Sequence, residues 1–407
     1  MIKVKIGVKF IPTRCRTLKP FYFQCLFMKY TFLGLILLSL FSCNDPDNSK
    51  ENKTCEFPAG NRNFTWRVDT VGWWPSEMGG VYAFSDDDAY AAGYFSDKKG
   101  NINSVLHWDG KKWSPVIFSN PIAELGNNPN DVTGDGEIMV TVGLYDYSSP
   151  KPGIGEYNNS TKKWKGYQFQ NDGGLNSVWT DGQGYFIAAG DNGIIFEKDG
   201  YNAGWVYKKL NSDFTFYKIA GISKNEIFIL GYKDPVAQKA TNQVWSKGKS
   251  GWSKIFDDRD TSGMPLKIPE GYDSYAGISA FRCEIENSLN IYLVGWESVL
   301  YKAKGPPGKF EITNLANLGL TLRSQRKYAS DITLFSPNDF WISGENYSFF
   351  HWNGSNFQPI KIPILPENIS SVPRTKRFFK TNTGKIFIPS ELETDQILAV
   401  LQGIQIK

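Results

Sequence analysis

Short apolar runs separated by polar turns recur along the chain from about residue 64 to its end. This pattern predicts β-strands of four to eight residues. Two segments match closely: GVYAFSDDDAYAAGY with SVLHWDGKKWSPV (80–94 and 104–116), and DITLFSPNDFWISGEN with SFFHWNGSNFQPI (331–346 and 348–360). Each predicts four strands, labelled a to d here, in which strand b ends in glycine and strand d opens with an aromatic residue.

Weaker copies fill the interval, so that a unit of about fifty residues recurs six times. The glycines that end strand b are Gly93, Gly143, Gly190, Gly231, Gly295 and Gly344. The aromatic residues that open strand d are Trp113, Trp164, Trp205, Trp252, Phe310 and Phe357. A seventh unit begins at 377–390, but the chain ends before its aromatic strand, whereas the N-terminal Trp66 has no unit of its own.

Four short strands per repeat predict an all-β fold, a β-propeller, because one such sheet hides its apolar faces only when neighbours stack on it. We expect seven blades, with six or eight as alternatives, closed by an N-terminal strand that completes the last blade. The strand-b glycines are expected where the backbone crowds the neighbouring blade, or where φ is positive. The Asp-Gly and Asn-Gly pairs at 109–110, 199–200 and 353–354 predict type I′ turns.

These units resemble bacterial propeller repeats of the Y-x-x-G…I-x-H-W-D-G…W kind. Such repeats occur in surface lipoproteins and, more distantly, in Ycf48-like propellers, which are photosystem assembly factors. The resemblance covers about 64–403. It implies the fold but says little about function, since propellers host unrelated activities.

The first 42 residues have the character of a targeting segment. From Met28 the sequence MKYTFLGLILLSLFSC has a basic start, an apolar core and an ending at Cys43 that resembles the lipobox of bacterial lipoproteins, although Phe41 departs from the usual small residue. The apolar run is shorter than the roughly 20 residues of a membrane-spanning helix. An ordinary cleaved signal peptide is the main alternative, and translation starts at Met1 or at Met28.

We therefore expect three segments: a removed extension and signal peptide at 1–42, a flexible polar tether at 43–62, and a propeller at 63–407. A lipid on Cys43 would place the protein at the outer membrane of a bacterial cell envelope, and acidic residues after Cys43 resemble surface-export signals. The two remaining cysteines outside the removed segment, Cys55 and Cys283, are a candidate disulfide in an oxidising compartment.

The net charge of +4 comes from the removed segment. Residues 1–42 hold seven basic residues and no acidic one, so the rest, with 38 basic and 41 acidic residues, has a net charge of −3. Nothing in this balance favours nucleic-acid binding. Only two histidines occur, His107 and His351, at the same repeat position, which favours a structural role. We expect no metal, no cofactor and no catalytic residue.

A candidate binding rim follows the strand-b glycines, because the loops after strand b gather on one face of a propeller. Its tentative ligand-binding residues are Tyr94, Tyr145, Tyr232, Trp296, Glu297 and Glu345. Exposed aromatic rings with nearby acids can stack on sugars or anchor a protein. The alternative is that half or more of these aromatic rings pack beneath their own loops.

The sequence thus favours a lipid-anchored envelope protein, monomeric by default, that binds or scaffolds an unknown protein or glycan. Two alternatives stay open: a carbohydrate-active enzyme, such as a glycoside hydrolase or lyase, on the same scaffold, and an assembly factor for a membrane complex.

The lipid anchor can be tested at one residue. Replacing the thiol in Cys43→Ala removes the atom that carries the lipid, so we expect the variant to move from the membrane fraction to the soluble fraction and to lose palmitate labelling. A variant that stays membrane-bound would rule out Cys43 as the anchor.

Overall fold

The computed structural model describes residues 57–405, apart from short segments. These are 127, 147–149, 234–240, 260–261, 267–274, 284–287, 296–299, 306–309, 316–328, 345–348, 361–377 and 393–396. The described chain is almost entirely β-strand, with one four-residue helix, α1 (Pro121–Glu124), and a 3-10 turn at Asp191–Gly193. No helix among these residues has the length and apolar character needed to cross a bilayer.

Five four-stranded antiparallel sheets follow one another along the chain, and they match repeats 2 to 6 of the sequence. Repeat 2 holds β5 (Asn128–Gly134), β6 (Ile138–Asp146), β7 (Lys151–Asn158) and β8 (Lys163–Gln168). Repeat 3 holds β9 (Leu175–Thr180), β10 (Tyr185–Gly190), β11 (Ile194–Asp199) and β12 (Val206–Lys209). Repeat 4 holds β13 (Thr215–Ser223), β14 (Glu226–Lys233), β15 (Thr241–Gly248) and β16 (Gly251–Asp257). Repeat 5 holds β17 (Tyr275–Cys283), β18 (Ser288–Gly295), β19 (Leu300–Gly305) and β20 (Glu311–Asn314), and repeat 6 holds β21 (Ala329–Ser336), β22 (Asp339–Gly344), β23 (Phe349–Trp352) and β24 (Phe357–Ile360).

A sixth sheet has seven strands and contains the first and the last strand of the described chain. Its order is β25-β26-β27-β1-β2-β3-β4. The strands are β1 (Phe64–Ser85), β2 (Asp88–Ser96), β3 (Ile102–Trp108), β4 (Trp113–Pro115), β25 (Phe379–Lys380), β26 (Ile386–Leu392) and β27 (Ile397–Gln405). The first half of β1 pairs with β27, where Trp66 lies opposite Gly403, and its second half pairs with β2. We call the second half of β1 with β2 to β4 repeat 1, and β25 to β27 with the first half of β1 the terminal repeat.

Every predicted strand-b glycine lies opposite a β-bulge in strand a of its own sheet. In repeat 2 the residues Pro129 and Asp131 pair with Gly143 and Val142, which leaves Asn130 as the extra residue. The same shift occurs in repeats 1, 3, 4, 5 and 6. The bulge brings the strand-a backbone so close that a Cβ on Gly143 would lie 1.8 Å from the carbonyl oxygen of Asn128.

The sequence suggested two reasons for these glycines, crowding by the neighbouring blade and a positive φ, and the structure shows a different one. None of the six is among the residues with positive φ, and in repeats 1, 2 and 3 the crowding comes from the same sheet rather than from a neighbouring one. The bulges also join neighbours: the side-chain amide of Asn130 donates to the carbonyl of Leu175, and that of Asn176 donates to the carbonyl of Phe216.

The strand-d aromatic residues pack against the preceding repeat, as a propeller requires. The indole nitrogens of Trp205 and Trp252 donate to Glu156 and Glu197 of the repeat before them, at 2.6 Å and 3.1 Å. Trp66 takes the same place in the terminal repeat, with its ring 6.5 Å from that of Trp341 in repeat 6. Trp113 of repeat 1 faces Phe387 of the terminal repeat at 6.4 Å.

The Asp-Gly turns are longer than predicted. Trp108 pairs with Trp113, so four residues form the loop between strands c and d. Gly110 has a φ of +86°, but Asp109 is not among the residues with positive φ, so the turn is not of type I′. The side chain of Asp109 instead accepts hydrogen bonds from the N–H groups of Lys111 and Lys112.

The close contact at the bulge predicts that replacing a strand-b glycine by alanine destabilises the protein. In Gly190→Ala the new Cβ would lie 1.8 Å from the carbonyl oxygen of Gly174, so strand a must move. We expect the free energy of unfolding to fall by about 2–3 kcal/mol, as for other overpacked sites. Chemical unfolding monitored by Trp fluorescence measures it.

Gly248→Ala is the matched control, because nothing lies within 4 Å of the added Cβ and no positive φ is involved. Its free energy of unfolding should change by less than about 0.5 kcal/mol. Equal losses in both variants would contradict the role of the bulge.

Candidate functional site

A groove of about 640 Å³ opens between repeats 1 and 2, beside the edge strand β4. Repeat 1 contributes Tyr90 and His107, the segment after His107 contributes the residues 114–117 and Ser119, and repeat 2 contributes Tyr157 and the residues 162–164. Ile117 lies at its border with 81% of its surface exposed. The groove therefore combines aromatic, basic and apolar groups that solvent reaches.

An ordered histidine forms one side of the groove. The Nε2 atom of His107 lies 2.9 Å from Oδ1 of Asp88, and the imidazole stacks on the ring of Tyr90 at 4.5 Å. The ammonium of Lys162, in the turn of repeat 2, lies 3.9 Å from the other oxygen of Asp88. The histidine is thus fixed on one face and one edge, while 36% of its side chain stays exposed.

Aromatic rings form the base of the groove. The hydroxyl groups of Tyr90 and Tyr157 share a hydrogen bond of 3.0 Å, and Trp164 packs on Tyr157 at 5.2 Å. Burial, followed by the hydrogen bond to Tyr157, raises the pKa of Tyr90 well above its ordinary value. Tyr90 therefore stays neutral at physiological pH and serves as a rigid apolar support.

Helix α1 borders the groove through Glu124. Its carboxylate accepts hydrogen bonds from the hydroxyl of Ser119 and the N–H of Asn120, which lower the pKa of Glu124. This carboxylate reaches back to the residues that precede the helix and so fixes the loop after strand β4.

Repeat 6 contains a second copy of the histidine arrangement. The Nε2 atom of His351 lies 2.8 Å from Oδ1 of Asp339, and its ring stacks on Trp341 at 4.6 Å. A lysine of the next repeat, Lys380, again lies on the other oxygen of the aspartate, at 2.6 Å. Burial acts to raise the pKa of Asp339, but the hydrogen bonds from His351 and Lys380 outweigh it and hold this pKa below its usual value.

The second copy is covered by the chain itself. Residues 57–62, at the end of the predicted tether, run over it: the N–H of Gly60 donates to Asn338, and Gly60 lies directly above His351 and Asp339. The guanidinium of Arg62 donates to the carbonyls of His351 and Asn356 and to the side chain of Asn356. His351 is fully buried as a result.

A smaller cavity, of about 170 Å³, lies among the strands a of repeats 3 to 6 and is lined by residues such as Trp179, Gly221 and Leu334. Further along the same strands an ion pair joins two repeats that are not neighbours, Lys218 of repeat 4 and Asp331 of repeat 6. The absence of a side chain at Gly277 of repeat 5 makes room for this ion pair, because a Cβ at that position would lie 2.9 Å from a carboxylate oxygen of Asp331. Asp331 is only 2% exposed, so its carboxylate is buried, whereas the Lys218 side chain is 18% exposed.

The structure describes the side chains of two residues of the predicted rim. Tyr94 is partly exposed on β2, and Tyr232 is partly exposed with its ring 5.2 Å from Tyr217, so it packs on its own sheet. Tyr145 lies on β6 but its side chain is outside the described part, as are the residues Trp296, Glu297 and Glu345. Cys43, Cys55 and the side chain of Cys283 also lie outside it.

The groove between repeats 1 and 2 was not predicted. The shared repeat position of His107 and His351 predicts a structural role, and each imidazole has the same hydrogen bond to an aspartate and the same stacked ring. The two differ in exposure, because His351 is buried whereas His107 is partly exposed. The sequence did not indicate where the N-terminal segment lies. Only the structure shows that residues 57–62 cover the histidine of repeat 6 and not that of repeat 1. Within the described residues no cluster of three or more His, Cys, Asp or Glu could hold a metal ion.

Comparison with known proteins bears on the fold. No protein-family model and no curated protein sequence matches the chain. Among solved structures, Ycf48 bound to D1 peptide matches 87% of this chain and all of its own at 12% identity, with a TM-score of 0.54. The WD40 propeller domain of Doa1 matches 84% of this chain and 98% of its own at 13% identity, with a TM-score of 0.53.

The fold is a β-propeller. A further match, the extracellular domain of BT4673 from B. thetaiotaomicron, covers 84% of this chain and 40% of its own at 11% identity, with a TM-score of 0.52. At such low identities these likenesses concern the arrangement of sheets, and the activity of this chain has to be argued from its own residues.

The buried carboxylate of Asp331 yields a stability prediction. Lys218→Met leaves the Asp331 carboxylate buried without its counter-charge, and we expect the free energy of unfolding to fall by about 3–5 kcal/mol. Urea unfolding measures the loss. Lys224→Met removes an exposed pair with Asp199 and should cost about 0.5 kcal/mol or less. If the two variants lost equal stability, the burial argument would be wrong.

Proposed function

We propose that this propeller is a binding or scaffolding protein of the bacterial cell envelope, anchored by a lipid on Cys43, that engages a protein partner through the groove between repeats 1 and 2. The observation that carries the proposal is the open His107 copy: a rigid, partly apolar surface with basic residues at its border and no segment of the described chain over it. Interface anchors of this kind are typically aromatic residues in preformed pockets.

The same groove argues for binding rather than catalysis. Hydrolysis of a glycosidic bond needs two carboxyl groups that flank the bond. The carboxylate of Asp88 is held by His107, and that of Glu124 is held by Ser119 and Asn120. Both acids already have structural partners, so a non-enzymatic role is the simpler proposal for this groove.

We also propose that the sheets form a ring of seven blades in which β1 belongs to the first and the last. Three contacts support closure: the pairing of β1 with β27, the packing of Trp66 on Trp341, and the packing of Trp113 on Phe387. A closed ring would leave the grooves between blades as permanent, preorganised surfaces, which favours a scaffolding role.

The solved structure of Ycf48 with a D1 peptide gives a precedent for peptide binding by a propeller of similar arrangement. The rim that includes Tyr94 and Tyr232 stays a second candidate surface, for a protein or a glycan. An assembly factor for a membrane complex is one form that the scaffolding role can take.

Site-specific photocrosslinking in the native envelope tests the proposed function. A benzoylphenylalanine at Ile117, in the groove, should form an adduct with an envelope protein. The control position is Val206, 56% exposed on the edge strand of repeat 3, which should form none.

Adducts from Val206 alone would move the binding surface away from the groove. If neither position, nor Tyr94 as a third position on the rim, gave an adduct under conditions where a known envelope complex crosslinks, a protein-binding role would be excluded.

A further inference from the structure

We infer that the surface around the His107–Asp88 pair, where His107 borders the groove between repeats 1 and 2, takes an extended protein segment in which a glycine lies over this pair and an acidic residue, two positions later, faces Lys112. The inference rests on the protein-binding role proposed above and specifies the chemistry of the segment that is bound.

The chain supplies its own template for such a complex. His107–Asp88 and His351–Asp339 have the same hydrogen bond, at 2.9 Å and 2.8 Å, and the same ring stacking, at an interplanar angle of 27° in each. The loops that follow match as well, since Asp109 and Asn353 each accept from the two N–H groups at the end of the loop. The copies differ in their cover, which is present over repeat 6, whereas His107 in repeat 1 is partly exposed. They also differ in two residues: repeat 1 has Asp87 where Asn338 donates to the carbonyl of Phe57, and Lys112 where repeat 6 has Asn356.

The covering segment shows which residue type fits over the histidine and its aspartate. A Cβ on Gly60 would lie 2.6 Å from Nε2 of His351 and 2.8 Å from Oδ1 of Asp339. Any larger residue would have to displace the imidazole, which is held by stacking on Trp341 and by the hydrogen bond to Asp339. Because the His107 copy has the same geometry, a segment that approaches it as closely also needs glycine at this position.

The charge beside the histidine distinguishes the two copies. In repeat 6, Arg62 donates to the side-chain oxygen of Asn356. The residue at the matching position of repeat 1 is Lys112, whose side chain has no acceptor atom and repels an arginine. Lys162 and Lys163 add two further cations on the side of repeat 2. The segment that fits therefore carries an acidic residue where the covering segment carries Arg62.

Three synthetic peptides based on residues 57–64 test the inference. They are FPAGNENF, with an acid at the Arg62 position, FPAGNRNF, with the chain's own sequence, and FPAVNENF, with valine at the glycine position. Binding to the folded propeller is measured by NMR titration up to about 2 mM peptide. We expect FPAGNENF to bind about threefold to fivefold more tightly than FPAGNRNF, as one exposed ion pair allows, and FPAVNENF to bind at least tenfold more weakly.

Variants of Lys112 make the test specific, because this residue is exposed and its replacement leaves the fold intact. Lys112→Asn introduces the residue found in the loop of repeat 6 and should weaken the preference for FPAGNENF over FPAGNRNF. Lys112→Glu should make FPAGNRNF bind more tightly than FPAGNENF. Lys249, exposed in a loop of repeat 4, is the matched control, since Lys249→Glu should leave all three affinities unchanged.

The inference is overturned if FPAGNENF shows no binding at 2 mM, if valine is tolerated in place of glycine, or if the preference ignores Lys112. None of these results touches the proposed function, because a photocrosslinked partner at Ile117 would still show that the groove binds a protein in another way.

Discussion

The close approach of two backbones within each sheet is the contact on which the rest of the structure depends. Strand a carries an extra residue opposite one position of strand b, and only a glycine at that position leaves room for it. The sequence predicted that strand b ends at this glycine, but in repeats 1, 2 and 4 the strand continues beyond it. The bulge sharpens the local twist and turns the extra residue toward the next repeat, where Asn130 and Asn176 reach a carbonyl of their neighbour. A constraint inside one sheet thereby sets the spacing between sheets.

Outside this inner contact, the sheets hold together through large aromatic residues on strand d and through buried charges. Glu156 is 7% exposed, yet it accepts hydrogen bonds from Lys198, Trp205 and Tyr167. A buried carboxylate is tolerated only with such complete pairing, which also fixes the register of one repeat on the next. The apolar contacts supply most of the stabilisation, and the polar ones select a single packing.

The arrangement of four-stranded sheets could be predicted from the sequence because each repeat has a recognisable local pattern of residues. A strand-b glycine and a strand-d aromatic residue recur every fifty residues, and each has a physical cause within one or two sheets. Tyr94 and Tyr232 were predicted in the loops after strand b, but they lie on β2 and β14, because these strands continue past the glycine. The groove could not be predicted in this way, because its openness depends on where a segment far away in sequence, ending at Arg62, lies in the fold. The bulges opposite the glycines could not be predicted either, because the pattern of apolar and polar residues does not reveal an extra residue in strand a.

The N-terminal segment has a mechanical consequence. From Gly60 to Trp73 the chain runs across the histidine of repeat 6 and then along β27, and nine residue pairs connect β1 to that strand. A pull on the N terminus would act along the axis of β1 and load its hydrogen bonds together, in shear, instead of opening them one after another. A molecule held to a surface by that end would resist tension at the seam where its two chain ends meet.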